Sequence, residues 1–435
     1  MSPSPDTKLA RVIGRWSLTA LMVNAIVGSG IFGLPSIVTH NVGRLGPWAY
    51  LLAAGGIGLV AACFAEVSSQ FSEAGGPYLY ARVAFGQFAG IQVAWLAWLV
   101  RLTSGAANAN IFVQYLGGFL PSAQWHAGRA VVLFCLIAGL ATINVAGVKA
   151  GANLSNFLAV AKLLPLVIFI VVGLLLLRHQ IAPSTILVTS AAPGIRVWLS
   201  TILLIVFALS GFEAALIPMG EARNVRHDAP FAILLALIVC AGIYMLIQVV
   251  VLRALGLNPD ADRPLAQAAQ VFLGHGGAVL MQAGALISVY GNLSSMMLNV
   301  PRLTYALAER GDFPKIFGLV SRKFRTPYFS IGAFAAGMFF LALLGTFEGN
   351  AVLSAVARLV TYGVVCACVI SLRHKQPRVD AFRLPLGTLT SALALVFVLT
   401  LITQMGFKDL ITISGVMVLA FLNWLWAQRK ATNTE

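Results

Sequence analysis

The sequence predicts an all-α polytopic membrane protein of about twelve membrane-spanning helices, on three observations. Hydrophobic residues make up 59% of the chain and charged residues only 10%, with a mean hydropathy of +0.89. A soluble domain carries about 25% charged residues, so a surface facing water on all sides is excluded. The apolar residues also gather into stretches near 20 residues long, the length that crosses the hydrocarbon core as a helix. Finally, the connections are short, and none could hold a soluble domain.

In chain order the stretches run 16–39, 46–69, 86–118, 128–147, 153–177, 197–220, 229–253, 276–308, 328–346, 351–372, 386–405 and 409–427. Residues 1–435 therefore read as one polytopic unit. Its parts are an end segment 1–15, a first set of five spans over 16–177, a second over 197–372, two further helices over 386–427, and an end segment 428–435. The first stretch lacks the small-residue cleavage site of a signal peptide.

The net charge of +15 invites a nucleic-acid reading until the positions are mapped. Of the 29 Lys and Arg, Arg101, Lys162 and Arg358 lie within spans. Arg44, Arg129, Arg178, Arg196, Arg253, Arg263 and Lys408 lie on one side, and all the others lie on the side of the N-terminus. Positive residues accumulate on the cytoplasmic side. Both termini are therefore expected in the cytoplasm, and the charge implies no nucleic-acid partner.

Two spans differ from the rest. The first holds Gly28-Ser29-Gly30-Ile31-Phe32-Gly33 at its middle, followed by Pro35; the sixth holds Ala208-Leu209-Ser210-Gly211. A helical glycine costs about 1 kcal/mol relative to alanine, so an unwound segment is expected in each, although small residues also serve close helix packing. The two spans are five apart and cross in opposite directions. Matching interruptions in two inverted halves point to a transporter binding site, so a 5+5 inverted repeat with discontinuous helices 1 and 6 is expected.

Unwound backbone at membrane depth must line a cavity or be buried in protein. The first break frees N–H groups at the start of a half-helix, which suit a carboxylate. The sixth frees carbonyls around Phe207, Ala208 and Leu209, which suit an ammonium group. One site offering both receives a zwitterion, an α-amino acid. The plainer alternative is a pair of kinks used only for bending.

Ionisable residues deep in spans are functional candidates. Lys162 must find partners, be held neutral or act as a bound cation; Glu213, just after the sixth-span break, could gate, sense pH or serve as a hydrogen-bonded structural carboxyl. Arg101 and Arg358 have no obvious partner in the sequence and read as buried structural or gating cations. The cysteines Cys63, Cys135, Cys240, Cys366 and Cys368 all fall in spans, and the six histidines fall in connections or at span ends. No metal site, cofactor motif or enzymatic signature is visible, so no enzyme is expected.

Taken together, Gly28-Ser29-Gly30-Ile31-Phe32, Glu66, Glu73-Ala74-Gly75-Gly76-Pro77-Tyr78 with Phe85-Gly86, Gly211-Phe212-Glu213, Glu221-Ala222-Arg223-Asn224, and Arg302 with Ala306, Gly311 and Pro314 resemble the amino acid–polyamine–organocation (APC) superfamily. The resemblance runs from about residue 10 to 325. It implies the LeuT fold, alternating access, and a carboxylate held by Ser29, Gly30 and Ile31, with Ile26 and Gly28 in the same break. It implies an amino group held by carbonyls of Phe207, Ala208 and Ser210, flanked by Leu209 and Gly211, with the Phe207 ring as a gate. Lys162-Leu163-Leu164-Pro165 resembles the fifth-span lysine of sodium-independent members, bridging spans one and eight, with Ser288 as its expected partner. That implies proton-coupled symport or exchange, in a bacterial inner (plasma) membrane. Arg101 resembles a third-span arginine of L-type transporters, which leans toward neutral substrates. Two departures stand out: Asn224-Val225 replaces the usual Asn-Pro, and the tail beyond span ten holds no motif.

A polyamine or organocation antiporter is the alternative reading; it would want an acidic pocket that only Glu213 could supply. An enzyme would need clustered intramembrane nucleophiles or ligands, and a channel a symmetric pore. The expected partners are an amino acid, protons and the lipid bilayer, with either a monomer or a homodimer open.

Overall fold

The computed structural model describes residues 13–71, 75–147, 151–177, 193–216, 224–257, 262–375 and 381–432, without the side chains of 151–161, 225 and 429–432. Glu73-Ala74, Pro218, Glu221-Ala222-Arg223 and most of the N-terminal segment lie outside the described residues.

Among the described residues the regular elements are almost all helical, as the composition requires. The first stretch forms two helices, α1 (Arg15–Ile26) and α2 (Gly30–Val42), separated by Val27, Gly28 and Ser29. Then come α3 (Gly46–Ser69), which opens on Gly46-Pro47, and α4 (Gly76–Phe85), which opens on Gly76-Pro77. Proline suits this first-turn position because its missing N–H would find no partner there. Next are α5 (Gln87–Leu116), α6 (His126–Ala146), which a left-handed Gly147 terminates, and α7 (Gly151–Leu176).

The sixth stretch is interrupted like the first: α8 (Ile195–Leu209) stops, Ser210 and Gly211 leave the helix, and α9 (Phe212–Ala215) resumes it. After it follow α10 (Val225–Leu255), α11 (Pro264–Glu309), α12 (Tyr328–Leu344), α13 (Phe347–Lys375), α14 (Gly387–Ile402) and α15 (Phe407–Thr432). Each expected span thus coincides with a helix or a pair of half-helices. Among the described residues, seven helical stretches are long and apolar enough to cross a membrane by length and composition, and shorter apolar helices occupy Lys162–Leu176, Tyr328–Leu344 and Gly387–Ile402.

Two helical segments lie where connections were expected. One is α4; the other is the first ten residues of α11, set off from the eighth span by Gly274 (φ 67°, ψ −161°). Both are too short to register as spans.

The helices pack in exchangeable pairs. α3 lies along α10, the second span on the seventh. α5 lies along α13 and α7 along α11, contacts that interchange when each span is swapped for its counterpart five spans away. Likewise α2 meets α8, and α1 meets α9. At the bundle end where α3 and α13 finish, Glu66 is fully buried and accepts two hydrogen bonds from Arg373, at 2.6 and 2.7 Å, and one from Leu384 N–H at 3.0 Å. Nearby, buried Asp312 after α11 accepts from Tyr78, Arg82 and Gln87, which fastens α4 and the start of α5 to α11.

Removing one partner of a buried pair leaves the other uncompensated. Glu66→Ala is expected to destabilise the fold by about 3 kcal/mol, read as a lower apparent melting temperature in detergent; Glu66→Gln, which keeps one accepting oxygen, should lose less.

Candidate solute-binding site

The two interruptions meet at the centre of the bundle. An added Cβ on Gly30 would stand 2.7 Å from Ala208 Cβ and 2.9 Å from Ala208 Cα, so α2 and α8 touch there without room for a side chain. Gly211 makes the second crossing: its φ of +120° disfavours any L-residue, and a Cβ would lie 2.5 Å from Ala25 O. The glycines noticed in the sequence are therefore required for two broken helices to cross.

Around this crossing lies a cavity of about 30 Å³, enough for roughly two waters. Ala25, Ile26, Gly28, Ser29 and Gly30 line it from the first break, and Phe207, Ala208, Ser210 and Gly211 from the second. Ile31 and Leu209 are buried beside it and do not line it. Ser104, Asn108 and Arg101 on α5, Asn292 and Met296 on α11, and Arg358 on α13 complete the wall.

Main-chain polarity dominates two sides. No side chain caps α2, whose first N–H groups have no intrahelical acceptor. At the end of α8, Ser210 Oγ donates to the Val206 carbonyl, while the break, with Gly211 N–H turned to Glu213, leaves the last carbonyls of that helix without intrahelical donors. Three buried side-chain atoms of the lining residues, Ser29 Oγ, Asn108 Oδ1 and Arg358 Nε, also make no hydrogen bond among the described residues. The wall thus offers donors from α2 and acceptors from α8 and Asn108.

Lys162 is buried under the first break. Its Nζ donates to Asn24 O at 2.5 Å and Val27 O at 2.8 Å, the carbonyls that α1 exposes where it ends. The expected partner on span eight does not take part: Ser288 is buried, and its Oγ makes no hydrogen bond among the described residues. Asn292, one turn further along α11, donates to the same Val27 O at 3.2 Å and supplies the bridge to span eight. Tyr244 of α10 donates to Ile26 O at 3.0 Å, so three neighbouring helices hold the end of α1.

Glu213 does not face the cavity as a free acid. Its Oε1 lies 3.3 Å from Arg358 Nε and 3.5 Å from Arg101, while its Oε2 accepts from Tyr362 OH and Gly211 N–H, both at 2.9 Å. The arginines that lacked partners in the sequence share this one carboxylate. Arg358 also donates to Ser104 Oγ at 3.0 Å. Phe207, which lines the cavity, packs its ring edge-on against Phe347, centroids 6.1 Å apart. Sequence reasoning missed Phe347, Asn292, Tyr244 and Tyr362. Of these only Asn292 carried a signal, a polar residue one helical turn from Ser288.

The sequence pattern of the family described as Amino acid permease matches residues 13–426. The chain belongs to the amino acid permease family. Among similar proteins, this permease is 27% identical to the methylthioribose transporter of Bacillus subtilis over 88% of its own chain and 86% of the relative. It is 27% identical to the serine/threonine exchanger of the same organism, over 95% and 97%. Against the arginine/agmatine antiporter of Chlamydia pneumoniae it is 25% identical, over 99% and 93%. These relatives are named as transporters, and the permease is a membrane protein of several apolar helices.

Gly30→Val should abolish solute binding in a thermal-shift assay, because the new methyl groups overlap Ala208. Gly211→Ala should lower stability by about 1–2 kcal/mol from its backbone conformation alone, whereas Gly55→Ala, inside α3 with open space around its Cβ, should keep or slightly raise the melting temperature.

Proposed function

We propose that this permease carries α-amino acids across the inner (plasma) membrane of a bacterial cell, without sodium, by proton-coupled symport or amino acid exchange. The observation that carries the reading is the polarity of the cavity wall: helix-start N–H groups on one side and helix-end carbonyls on the other, brought together by two glycine crossings. A carboxylate would take N–H groups of Ser29, Gly30 and Ile31 with Ser29 Oγ beside them. The α-ammonium would take carbonyls of Phe207 and Ala208 together with Asn108 Oδ1. The exchangeable packing of spans 1–5 and 6–10 supports an inverted repeat and alternating access, and the distribution of Lys and Arg supports cytoplasmic termini.

In this reading the Phe207–Phe347 contact is the outer gate and the Glu213–Arg101–Arg358–Tyr362 network the inner one. Glu213 acts through that network, and any response of the carrier to pH at this position would come from its parting from the arginines. Lys162 is the coupling residue. Its ammonium holds the unwound end of α1 as a bound cation would, and loss of its proton would weaken its hold on Asn24 O and Val27 O. The polyamine or organocation alternative lacks its acidic pocket, because two guanidiniums already surround Glu213.

Uptake of labelled amino acids into proteoliposomes tests the reading, with sodium, the pH gradient and internal solute varied separately. Amino acid uptake should persist without sodium and respond either to an inward proton gradient or to internal amino acid. Lys162→Ala should reduce uptake at least tenfold while the protein remains folded by thermal melt. Strict sodium dependence, or wild-type turnover in Lys162→Ala, would refute the coupling role.

A further inference from the structure

Two cations share one anion at the cavity wall. Arg101 and Arg358 both approach Glu213, whose second oxygen is filled by the neutral donors Tyr362 OH and Gly211 N–H. Arginine does not give up its proton in a protein. The cluster therefore carries one uncompensated positive charge in a buried place, a costly arrangement unless an anion joins it.

The two arginines are not equivalent. Arg358 donates to Ser104 Oγ and pairs with Glu213 at 3.3 Å through an Nε that makes no hydrogen bond among the described residues, and its side chain is 4% exposed. Arg101 has a single polar contact among the described residues, the 3.5 Å approach to Glu213, at the long limit for a hydrogen bond. Its side chain keeps 15% exposure and lines the cavity. A guanidinium offers five N–H donors in a planar fork that fits a carboxylate through two parallel bonds. Arg101, Ser104 and Asn108 follow one another at i, i+3 and i+7, so one face of α5 changes from amide to guanidinium along the cavity.

We infer that Arg101 is the side-chain subsite of the permease and that its solute is a dicarboxylic α-amino acid, whose second carboxylate occupies the Arg101 fork and neutralises the cluster. This rests on the amino acid reading above, in which the main-chain charges go to α2 and α8 and the side chain is left for the opposite wall. The same charge repels arginine, agmatine and polyamines. A lone arginine would be compatible with a neutral substrate; the second arginine on the same carboxylate is what creates the demand for an anion.

Binding to the purified wild-type protein decides the matter, measured by thermal shift and by competition with labelled uptake, using glutamate, aspartate, alanine, leucine, arginine and putrescine. Glutamate or aspartate should bind more tightly than alanine and about 100-fold more tightly than arginine or putrescine. Arg101→Gln should reduce the preference for the dicarboxylate over alanine about 30-fold; Arg101→Lys, a point charge without the fork, should reduce it less. Should the arginine variants fail to fold, the wild-type ranking still answers. Alanine or leucine binding with neither dicarboxylate competing, or arginine binding as tightly as glutamate, would overturn the subsite while leaving amino acid transport intact. If no amino acid bound at all, both would fall.

Discussion

Main-chain groups inside a membrane protein must be satisfied by other protein groups or by a cavity, and the architecture of this permease follows from that constraint. Two helices are cut open at the same depth, and their freed ends are gathered rather than scattered. Gly30 against Ala208 and Gly211 against Ala25 fix the crossing, since neither contact leaves space for a side chain. Once the crossing is set, the wall of the cavity has a positive side from α2 and a negative side from α8.

The rest of the core serves to hold those ends. The terminal carbonyls of α1 are taken by Lys162, Asn292 and Tyr244 from three different helices. Every one of these contacts is made to backbone, so each depends on the helix being broken. A continuous first span would hide the carbonyls and strand the buried ammonium of Lys162. On the second break, Glu213 occupies Gly211 N–H and draws in Arg101, Arg358 and Tyr362. The two breaks are thus anchored differently, one by a cation on carbonyls and the other by a carboxylate on an amide. This makes each responsive to a different charge.

Much of the architecture was legible because hydropathy and glycine are local signals. The second span was expected at 46–69 and the helix is Gly46–Ser69; the breaks lie where Gly28-Ser29-Gly30 and Ser210-Gly211 announced them. The illegible part consists of contacts between distant residues. Glu213 lies 112 positions from Arg101, and nothing along the chain says which helix faces meet. The Ser288 expectation missed by one turn for the same reason, since Asn292 lies on a neighbouring part of the same face. Phe347 was assigned to a connection because Glu348 and Asn350 follow it, and polar residues at a helix start look like a loop. Short helices such as α4 and the first turns of α11 carry too little apolar length to be distinguished from connections.

The central claim is that two opposed main-chain termini grip both charges of one zwitterion. It is tested most directly by titrating the purified permease with its preferred amino acid, with the amine lacking the α-carboxylate, and with the acid lacking the α-amino group. Loss of either charge should weaken binding at least 100-fold, since each removes the partner of one terminus. An analogue lacking one charge that bound as tightly as the parent would contradict the account.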